Sequence, residues 1–176
     1  MAAQKKALIC WIGGKISKDL NAAEKLDGSF SPIFSTLEAQ PHAELHLLFN
    51  DDDPRITTYC KWIEQQTGVK TVLHKADIRN PIHYGDIYQE SAALLDKLLL
   101  DIAASEMTIL ISSGTPAMEA IWILMGKTTY SVQMLQSTEE QGVEEAEIPF
   151  DISAEYIPAL LAESDATLRR LVGGTT

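Results

Sequence analysis

The stretch Thr108-Ile109-Leu110-Ile111-Ser112-Ser113-Gly114-Thr115-Pro116-Ala117-Met118 carries the strongest structural signal in this chain. An apolar run ends in two serines, a glycine and a threonine, and apolar residues then recur at helical spacing as far as Met125. The pattern predicts a buried strand that turns tightly into a buried helix, with Thr115 as N-cap and Pro116 in the first turn. Backbone N–H groups and hydroxyls at a helix N-terminus suit an anion such as a phosphate, although a purely structural turn uses the same residues.

Strand and helix patterns alternate outward from this stretch in both directions. Helical segments separate the strands, and Gly126 is expected to end the helix that begins near Pro116. Such alternation predicts an α/β fold, a Rossmann-like three-layer sandwich with a mostly parallel sheet of about six strands. The first five strands are predicted at 6–12, 44–50, 69–75, 108–111 and 128–135.

The charge of the chain restricts the partners that it can have. Its 176 residues include 25 acidic and 14 basic side chains, which gives a net charge of −11. This balance argues against direct binding of duplex DNA, which requires Lys and Arg against the phosphates, but one lysine beside a helix N-terminus can still hold a small phosphate. Five glutamates fall within 139–147, where we expect a solvated loop, followed by an edge-type sixth strand at 146–150.

The apolar segments and the cysteines indicate where the protein works. No apolar run reaches the ~18 residues that a membrane span needs, and the run at 7–12 is too short for a signal peptide. Cys10 and Cys60 lie in apolar patterns without metal-ligand spacing, so we expect buried, reduced thiols and a cytoplasmic protein. The three aspartates at 51–53 are typical of a helix start, and the four histidines show no ligand pattern. The sequence therefore implies neither a metal nor a cofactor.

Parallel α/β sheets bind ligands at the carboxyl ends of their strands. In the doubly wound order the first and fourth strands are neighbours, so the loop after the first strand is expected to face the 112–115 turn. A plain turn with a solvated lysine is the alternative interpretation of that first loop. The candidate ligand-binding residues are Gly13, Gly14, Lys15, Asn50, Ser112, Ser113, Gly114, Thr115 and Met118.

The motif at 112–118, a hydroxyl followed by Gly-Thr-x-x-Met, resembles the turn after the fourth strand in the CARF family (CRISPR-associated Rossmann fold). More narrowly, the chain is similar to the N-terminal sensor domain of some bacterial sigma-54-dependent transcriptional activators, a group that includes regulators of RNA repair. Those sensors often have proline where Ser113 stands, so the serine is expected to add a hydroxyl donor and to loosen the turn. The supporting segments occur in the order 44–50, 85–88, 122–128, 141–143 and 148–152.

The resemblance implies a ligand-sensing domain over 1–152 and, over 153–176, a C-terminal helix and the start of a linker to ATPase and DNA-binding domains beyond this chain. It also implies a homodimer whose site lies across the dimer axis, and a nucleotide-type ligand, either a cyclic oligoadenylate or an RNA end. Two alternatives remain open. One is a metal-independent ring nuclease that uses Lys15 and the hydroxyls of Ser112, Ser113 and Thr115, and the other is a dimerisation module without a ligand.

Overall fold

The computed structural model describes residues 6–13, 17–25 and 29–149. Within these ranges the strands are β1 Ala7–Trp11, β2 Glu44–Phe49, β3 Lys70–Lys75, β4 Met107–Leu110, β5 Gln133–Thr138 and β6 Gly142–Glu145. The helices are α1 Lys18–Lys25, α2 Pro32–Ala39, α3 Arg55–Thr67, α4 Tyr84–Leu98 and α5 Pro116–Thr128, with a short 3₁₀ helix at Ala104–Glu106. The helix predicted within 153–176 lies outside the described residues.

The strands form one sheet in the order β3-β2-β1-β4-β5-β6. β1 pairs in parallel with β2 on one side and with β4 on the other, and only β6, at the edge, runs antiparallel. The predicted adjacency of the first and fourth strands is therefore confirmed. After β1 the chain order reverses, so the carboxyl ends of β1 and β4 flank the crevice in which folds of this kind bind ligands.

Side chains from β1 divide the core into two layers. Leu8 and Cys10 pack with the apolar sides of α1, α2 and α3, whereas Ile9 and Trp11 pack with those of α4 and α5. All four are fully buried, and the aliphatic side chains of Leu8 and Ile9 each contribute about 2 kcal/mol through their burial. Because successive strand residues point to opposite faces, this alternation fixes the register of β1. The result is the predicted three-layer α/β sandwich.

The acidic run contains the sixth strand, which the sequence prediction put after it. β6 occupies Gly142–Glu145 and pairs antiparallel with β5, Leu135 lying opposite Glu145, while 146–149 form no strand. The chain reverses after β5, and Gly142 has a positive φ of 75° at the start of β6. Charged side chains on an edge strand discourage pairing with other chains, so this run serves as an exposed edge.

Gly126 does not end α5, and the prediction that it would is wrong. The helix continues to Thr128, and β5 begins only at Gln133. A Cβ atom on residue 126 would lie 2.5 Å from the Sδ atom of Met134, so the glycine lies where α5 packs closely against this side chain of β5. The end of the helix is set elsewhere, where the Thr129 N–H donates to the Met125 carbonyl.

The described ranges contain neither a metal-binding cluster nor a membrane-spanning helix. No group of three or more His, Cys, Asp or Glu side chains in these ranges is arranged to hold a metal ion. No helix in the same part of the chain is long and apolar enough to cross a membrane. Cys10 and Cys60 are both free thiols and both buried, as the sequence predicted.

Candidate ligand-binding site

The β4–α5 turn and the end of β1 lie side by side at one edge of the sheet. Pairing of Ile9 with Ile109 sets the two strands in register, so Gly13 and the 112–115 turn emerge together. Between them is an open cleft of about 330 Å³. Its lining comprises the end of β1, the starts of α1, α2 and α5, and the turn itself. The sequence predicted this juxtaposition from the strand order.

Gly114 brings the backbone of the turn into direct contact with β1. Its φ is +104°, a conformation that residues with a Cβ adopt only with strain. A Cβ on residue 114 would lie 2.9 Å from the Cβ of Trp11 and 3.0 Å from the Sδ of Met118. Only glycine fits here, so the turn presents backbone, with no side chain, at this point of the cleft.

The two serine hydroxyls of the turn make hydrogen bonds within the protein. Ser113 is buried, and its Oγ lies 2.7 Å from the Trp11 carbonyl oxygen and 3.0 Å from Asp19 Oδ2. The Ser112 Oγ accepts a hydrogen bond of 2.6 Å from the backbone N–H of Ser137. Ser113 is a hydroxyl donor, as expected, but it does not loosen the turn, because its acceptor is the carbonyl of the last residue of β1.

Thr115 and Pro116 occupy the helix positions that the sequence predicted. The Thr115 Oγ1 accepts from the Met118 N–H at 3.3 Å, and Pro116 is the first residue of α5. The same hydroxyl donates to the Pro81 carbonyl at 2.6 Å, which ties the loop before α4 to the turn. Met118 lies buried beneath the turn, with its sulfur 3.4 Å from the Thr115 nitrogen.

Asp19 is the residue of this site that the sequence analysis missed. It lies in the first turn of α1, is 2% exposed, and connects three elements. Its Oδ1 accepts from the Ser31 hydroxyl at 2.6 Å and from the Ile33 N–H at 3.0 Å at the start of α2, and its Oδ2 faces Ser113. An acidic residue in a first helical turn normally indicates a solvated charge, so the sequence held no signal for a buried one.

Burial dominates the titration behaviour around Asp19. Loss of water raises the pKa of its carboxyl, although hydrogen bonds from Ser31 and Ile33 oppose that effect. The Tyr59 hydroxyl lies 3.1 Å from the Ser31 Oγ, and burial, together with the Asp19 charge, raises the pKa of Tyr59 well above its ordinary value. The same two causes raise the pKa of the Cys10 thiol. The base of the cleft is therefore a buried cluster of hydroxyl and carboxyl groups.

Three helix N-termini point at the cleft, and each carries partial positive charge from its backbone N–H groups. Ser17 and Lys18 line it at the start of α1, Pro32 at the start of α2, and Thr115 at the start of α5. The Lys18 Nζ lies 5.7 Å above the centre of the Phe30 ring. The cleft thus offers a local environment for an anion in a chain of net charge −11.

The remaining predicted site residues are distributed differently. Gly13 lines the cleft, whereas Gly14 and Lys15 lie outside the described residues. Asn50 follows β2, is partly exposed, and its Nδ2 donates to Asp51 Oδ1 at 3.2 Å. It does not belong to the described lining of the cleft.

A histidine pair on β2 and β3 is a second cluster that the sequence did not predict. The rings of His46 and His74 stack with centres 5.2 Å apart, and His46 Nδ1 lies 2.9 Å from His74 Nε2. His46 Nε2 lies 3.2 Å from Glu44 Oε2. Burial, then the neighbouring His46, lowers the pKa of His74 to about 4. The spacing of the histidines along the chain gives no sign of this pair, because strand pairing creates it.

Among known proteins, only solved structures are similar to this chain. No family model matches the sequence, and no curated protein matches it. Csm6 of Enterococcus italicus, bound to cyclic hexa-2'-fluoro-hexa-dAMP, matches with a TM-score of 0.63 and 15% identity, over 80% of this chain and 35% of that one. Can2 of Sulfobacillus thermosulfidooxidans, in complex with cyclic tetra-adenylate, matches with a TM-score of 0.54 and 10% identity, over 81% and 37%.

A third structure, protein VC1899 of Vibrio cholerae, matches with a TM-score of 0.58 and 8% identity, over 80% of this chain and 33% of that one. The chain spans about a third of the length of these three proteins. At identities this low, the similarity shows only that the fold is shared. It does not identify the ligand or the partners of this chain.

Proposed function

We propose that this chain, whose fold is that of a CARF-type Rossmann-like domain, is the ligand-sensing part of a regulatory protein. Its ligand is of nucleotide type, a cyclic oligoadenylate or an RNA end, bound through phosphates. The observation that carries the proposal is the cleft at the carboxyl ends of β1 and β4, where three helix N-termini converge beside Lys18. Phosphates are the anions that such N-termini hold most often.

The proposed contacts differ in kind along the turn. The N–H groups of Ser113 and Gly114 have no acceptor among the described residues, so they are free to donate to a phosphate oxygen. The hydroxyls of Ser113 and Thr115 already donate to carbonyl groups, so their main role is to hold the turn. The full proposed set includes Gly13, Gly14, Lys15, Asn50, Ser112, Ser113, Gly114, Thr115 and Met118, with Lys18 added.

A homodimer with the ligand across its axis is the assembly that we propose. Ile82, Tyr84 and Tyr88 are 65%, 57% and 45% exposed, and the two tyrosines are four residues apart on one side of α4. This apolar surface, the 82–88 patch, is tied to the ligand turn by the hydrogen bond from Thr115 to Pro81. An apolar surface next to the cleft supports a site that two copies complete.

The regulatory output is proposed to come from ATPase and DNA-binding domains of a bacterial sigma-54-dependent regulator, linked through 153–176, in the cytoplasm. A ligand can shift such an assembly only if it binds one arrangement of the two subunits more tightly than the other. The coupling free energy between ligand and output equals that difference in affinity. The domain described here supplies the cleft and the 82–88 patch for that coupling.

Calorimetric titration at fixed salt tests the proposal. The purified domain is titrated with cyclic oligoadenylates of several ring sizes and with short RNAs that end in a cyclic phosphate. Saturable binding by one class, weakened at least about tenfold in Lys18→Ala, is expected, because the lysine is next to the bound phosphate. Lys61→Ala removes the same charge from an exposed position on α3 and should bind like the wild type. No binding by any ligand to a folded dimer would contradict the proposal.

The same samples distinguish a sensor from a ring nuclease. If the cyclic ligand is recovered intact after incubation with the domain and a metal chelator, the domain is a sensor. Slow conversion of the cyclic ligand to a linear product without metal would show that the domain is a ring nuclease. In that case Ser112→Ala is the informative variant, because the Ser112 Oγ accepts one hydrogen bond and its own proton has no acceptor among the described residues.

A further inference from the structure

The hydrogen bonds around Ser113 fix where its proton lies. A carbonyl oxygen can only accept, so the 2.7 Å contact with Trp11 requires the Ser113 hydroxyl to donate to that carbonyl. The hydroxyl has one proton, and it is then used. The 3.0 Å contact between Ser113 Oγ and Asp19 Oδ2 is a second full hydrogen bond only if the carboxyl carries a proton on Oδ2.

The other carboxyl oxygen of Asp19, Oδ1, is surrounded by hydrogen-bond donors. Oδ1 faces two donors, the Ser31 hydroxyl and the Ile33 N–H. The Ser31 Oγ in turn lies 3.1 Å from the Phe34 nitrogen, which donates to it, and 3.1 Å from the Tyr59 hydroxyl. One oxygen that accepts twice and one that faces a committed hydroxyl form the pattern of a neutral carboxylic acid.

We propose that Asp19 is a positioning residue that, while protonated on Oδ2, holds the β4–α5 turn against the end of β1. When the carboxyl loses that proton to water, Oδ2 becomes an acceptor, and the Ser113 hydroxyl turns from the Trp11 carbonyl to Asp19. The bond that joins the turn to β1 is then lost, at the point where Gly114 touches Trp11. Any effect of this loss on ligand affinity rests on the proposed function, whereas the effect of Asp19 on the position of the turn does not.

The surroundings of Asp19 favour the protonated form. No described basic side chain forms an ion pair with it, and burial is the largest influence on its pKa, which it raises. Among the described residues, the titratable groups that face it are Cys10 on β1 and Tyr59 on α3, and burial raises the pKa of both. Both are therefore neutral in the range over which Asp19 would titrate, so the response of the turn reports on Asp19 itself.

Nuclear magnetic resonance of the unliganded domain tests the proposal from about pH 5, where an ordinary aspartate is already ionised, to about pH 9. The side-chain carboxyl carbon of Asp19 and the backbone amides of Ser113 and Gly114 are followed in parallel. Because burial raises the pKa of Asp19, we expect its carboxyl to titrate above the range of an ordinary aspartate and the two amide signals to move with the same midpoint. In Asp19→Asn the amides should keep their low-pH positions throughout, because an amide accepts and donates as the neutral acid does.

Asp101→Asn, at an exposed position after α4, is the matched control and should leave the titration of both amides unchanged. The wild-type data are sufficient to overturn the proposal, even if Asp19→Asn fails to fold. They would do so if the carboxyl is ionised over the whole pH range, or if the amide signals do not change as it titrates. An Asp19→Asn domain whose amides match the high-pH form would also overturn it. Failure of every cyclic oligoadenylate to bind would refute the proposed function and leave this result standing, because no ligand enters the measurement.

Discussion

Gly114 shows how one residue limits what the candidate site can be. Its positive φ and the 2.9 Å approach to Trp11 Cβ leave no room for a side chain. We expect Gly114→Ala to lower the free energy of unfolding by about 2 kcal/mol, from backbone strain and steric overlap together. Urea denaturation measures the loss.

Gly142→Ala separates the two contributions to that loss. Gly142 also has a positive φ, of 75°, but nothing lies within 4 Å of the position of its Cβ. The variant should lose only about 1 kcal/mol, the cost of the left-handed conformation. Equal losses at both positions would mean that contact with Trp11 contributes nothing to the requirement for glycine.

At the residue scale the sequence predicted the members of the turn better than their roles. Thr115 as N-cap and the buried side chain of Met118 follow from local pattern, and both are observed. The partners of Ser113 could not be predicted, because Trp11 and Asp19 are 102 and 94 residues away along the chain. Asp19 itself was missed because its burial depends on how α1 and α2 pack, which no local pattern encodes.

The start of α5 depends on one hydroxyl that connects two elements. Thr115 Oγ1 accepts from Met118 N–H and donates to the Pro81 carbonyl. Thr115→Val should lower the free energy of unfolding by roughly 1–2 kcal/mol, because it removes the N-cap and leaves that carbonyl without its donor. Thr115→Ser keeps the hydroxyl and should lose less than half as much in the same urea titration. Equal losses in the two variants would show that the methyl group of Thr115 contributes as much to stability as its hydroxyl.

The histidine pair makes the β2–β3 edge sensitive to acid. The pKa of His74 is lowered to about 4 by burial and by His46, whereas an unfolded histidine titrates near ~6.5. Between these values the unfolded chain binds more protons, so stability falls as the pH drops from about 6.5 towards 4. Lys70 and Lys97 add positive charge nearby and Glu44 negative charge. The contribution from His74 is on the order of 1–3 kcal/mol.

His74→Gln provides the measurement of that contribution. The variant lacks the titrating ring, so its urea midpoint should fall less steeply than that of the wild type between pH 7 and pH 5. Subtracting the two curves removes the effect of Asp19, whose raised pKa acts with the opposite sign and lowers stability as the pH rises. Parallel curves would mean that His74 titrates normally in the folded protein.

Elements were predicted well where their signal is local and poorly where it depends on a distant partner. The strand at 44–50 and the buried stripe of α5 follow from their own periodicity, and the structure has both. The placement of β6 was wrong because its glutamates resemble a solvated loop, and only pairing with β5 makes them a strand. The prediction for Gly126 was wrong because its close neighbour is Met134, which follows the helix in the chain.

At the scale of the whole molecule, the order of the strands was the most useful sequence inference. Alternating strands and helices predicted a parallel sheet, and the adjacency of β1 and β4 then located the cleft. The exposed apolar surface could not be predicted from the sequence in the same way. The exposure of Ile82, Tyr84 and Tyr88 arises from how α4 sits on the sheet, and isolated apolar residues in a loop and a helix start give no warning of it.

The 82–88 patch leads to a prediction about assembly. If two copies meet there, Tyr88→Glu places a charge in the interface and should convert the dimer to a monomer in light scattering after gel filtration. Leu100→Glu is the control, because Leu100 is 83% exposed just beyond the other end of α4 and should leave the dimer intact. Because the proposed site lies across the dimer axis, the monomeric variant should also bind the ligand at least about tenfold more weakly. A wild type that is monomeric would contradict the proposed dimer, and a Tyr88→Glu protein that stays dimeric would place the interface elsewhere. A monomeric Tyr88→Glu protein with full affinity would show that one subunit completes the site.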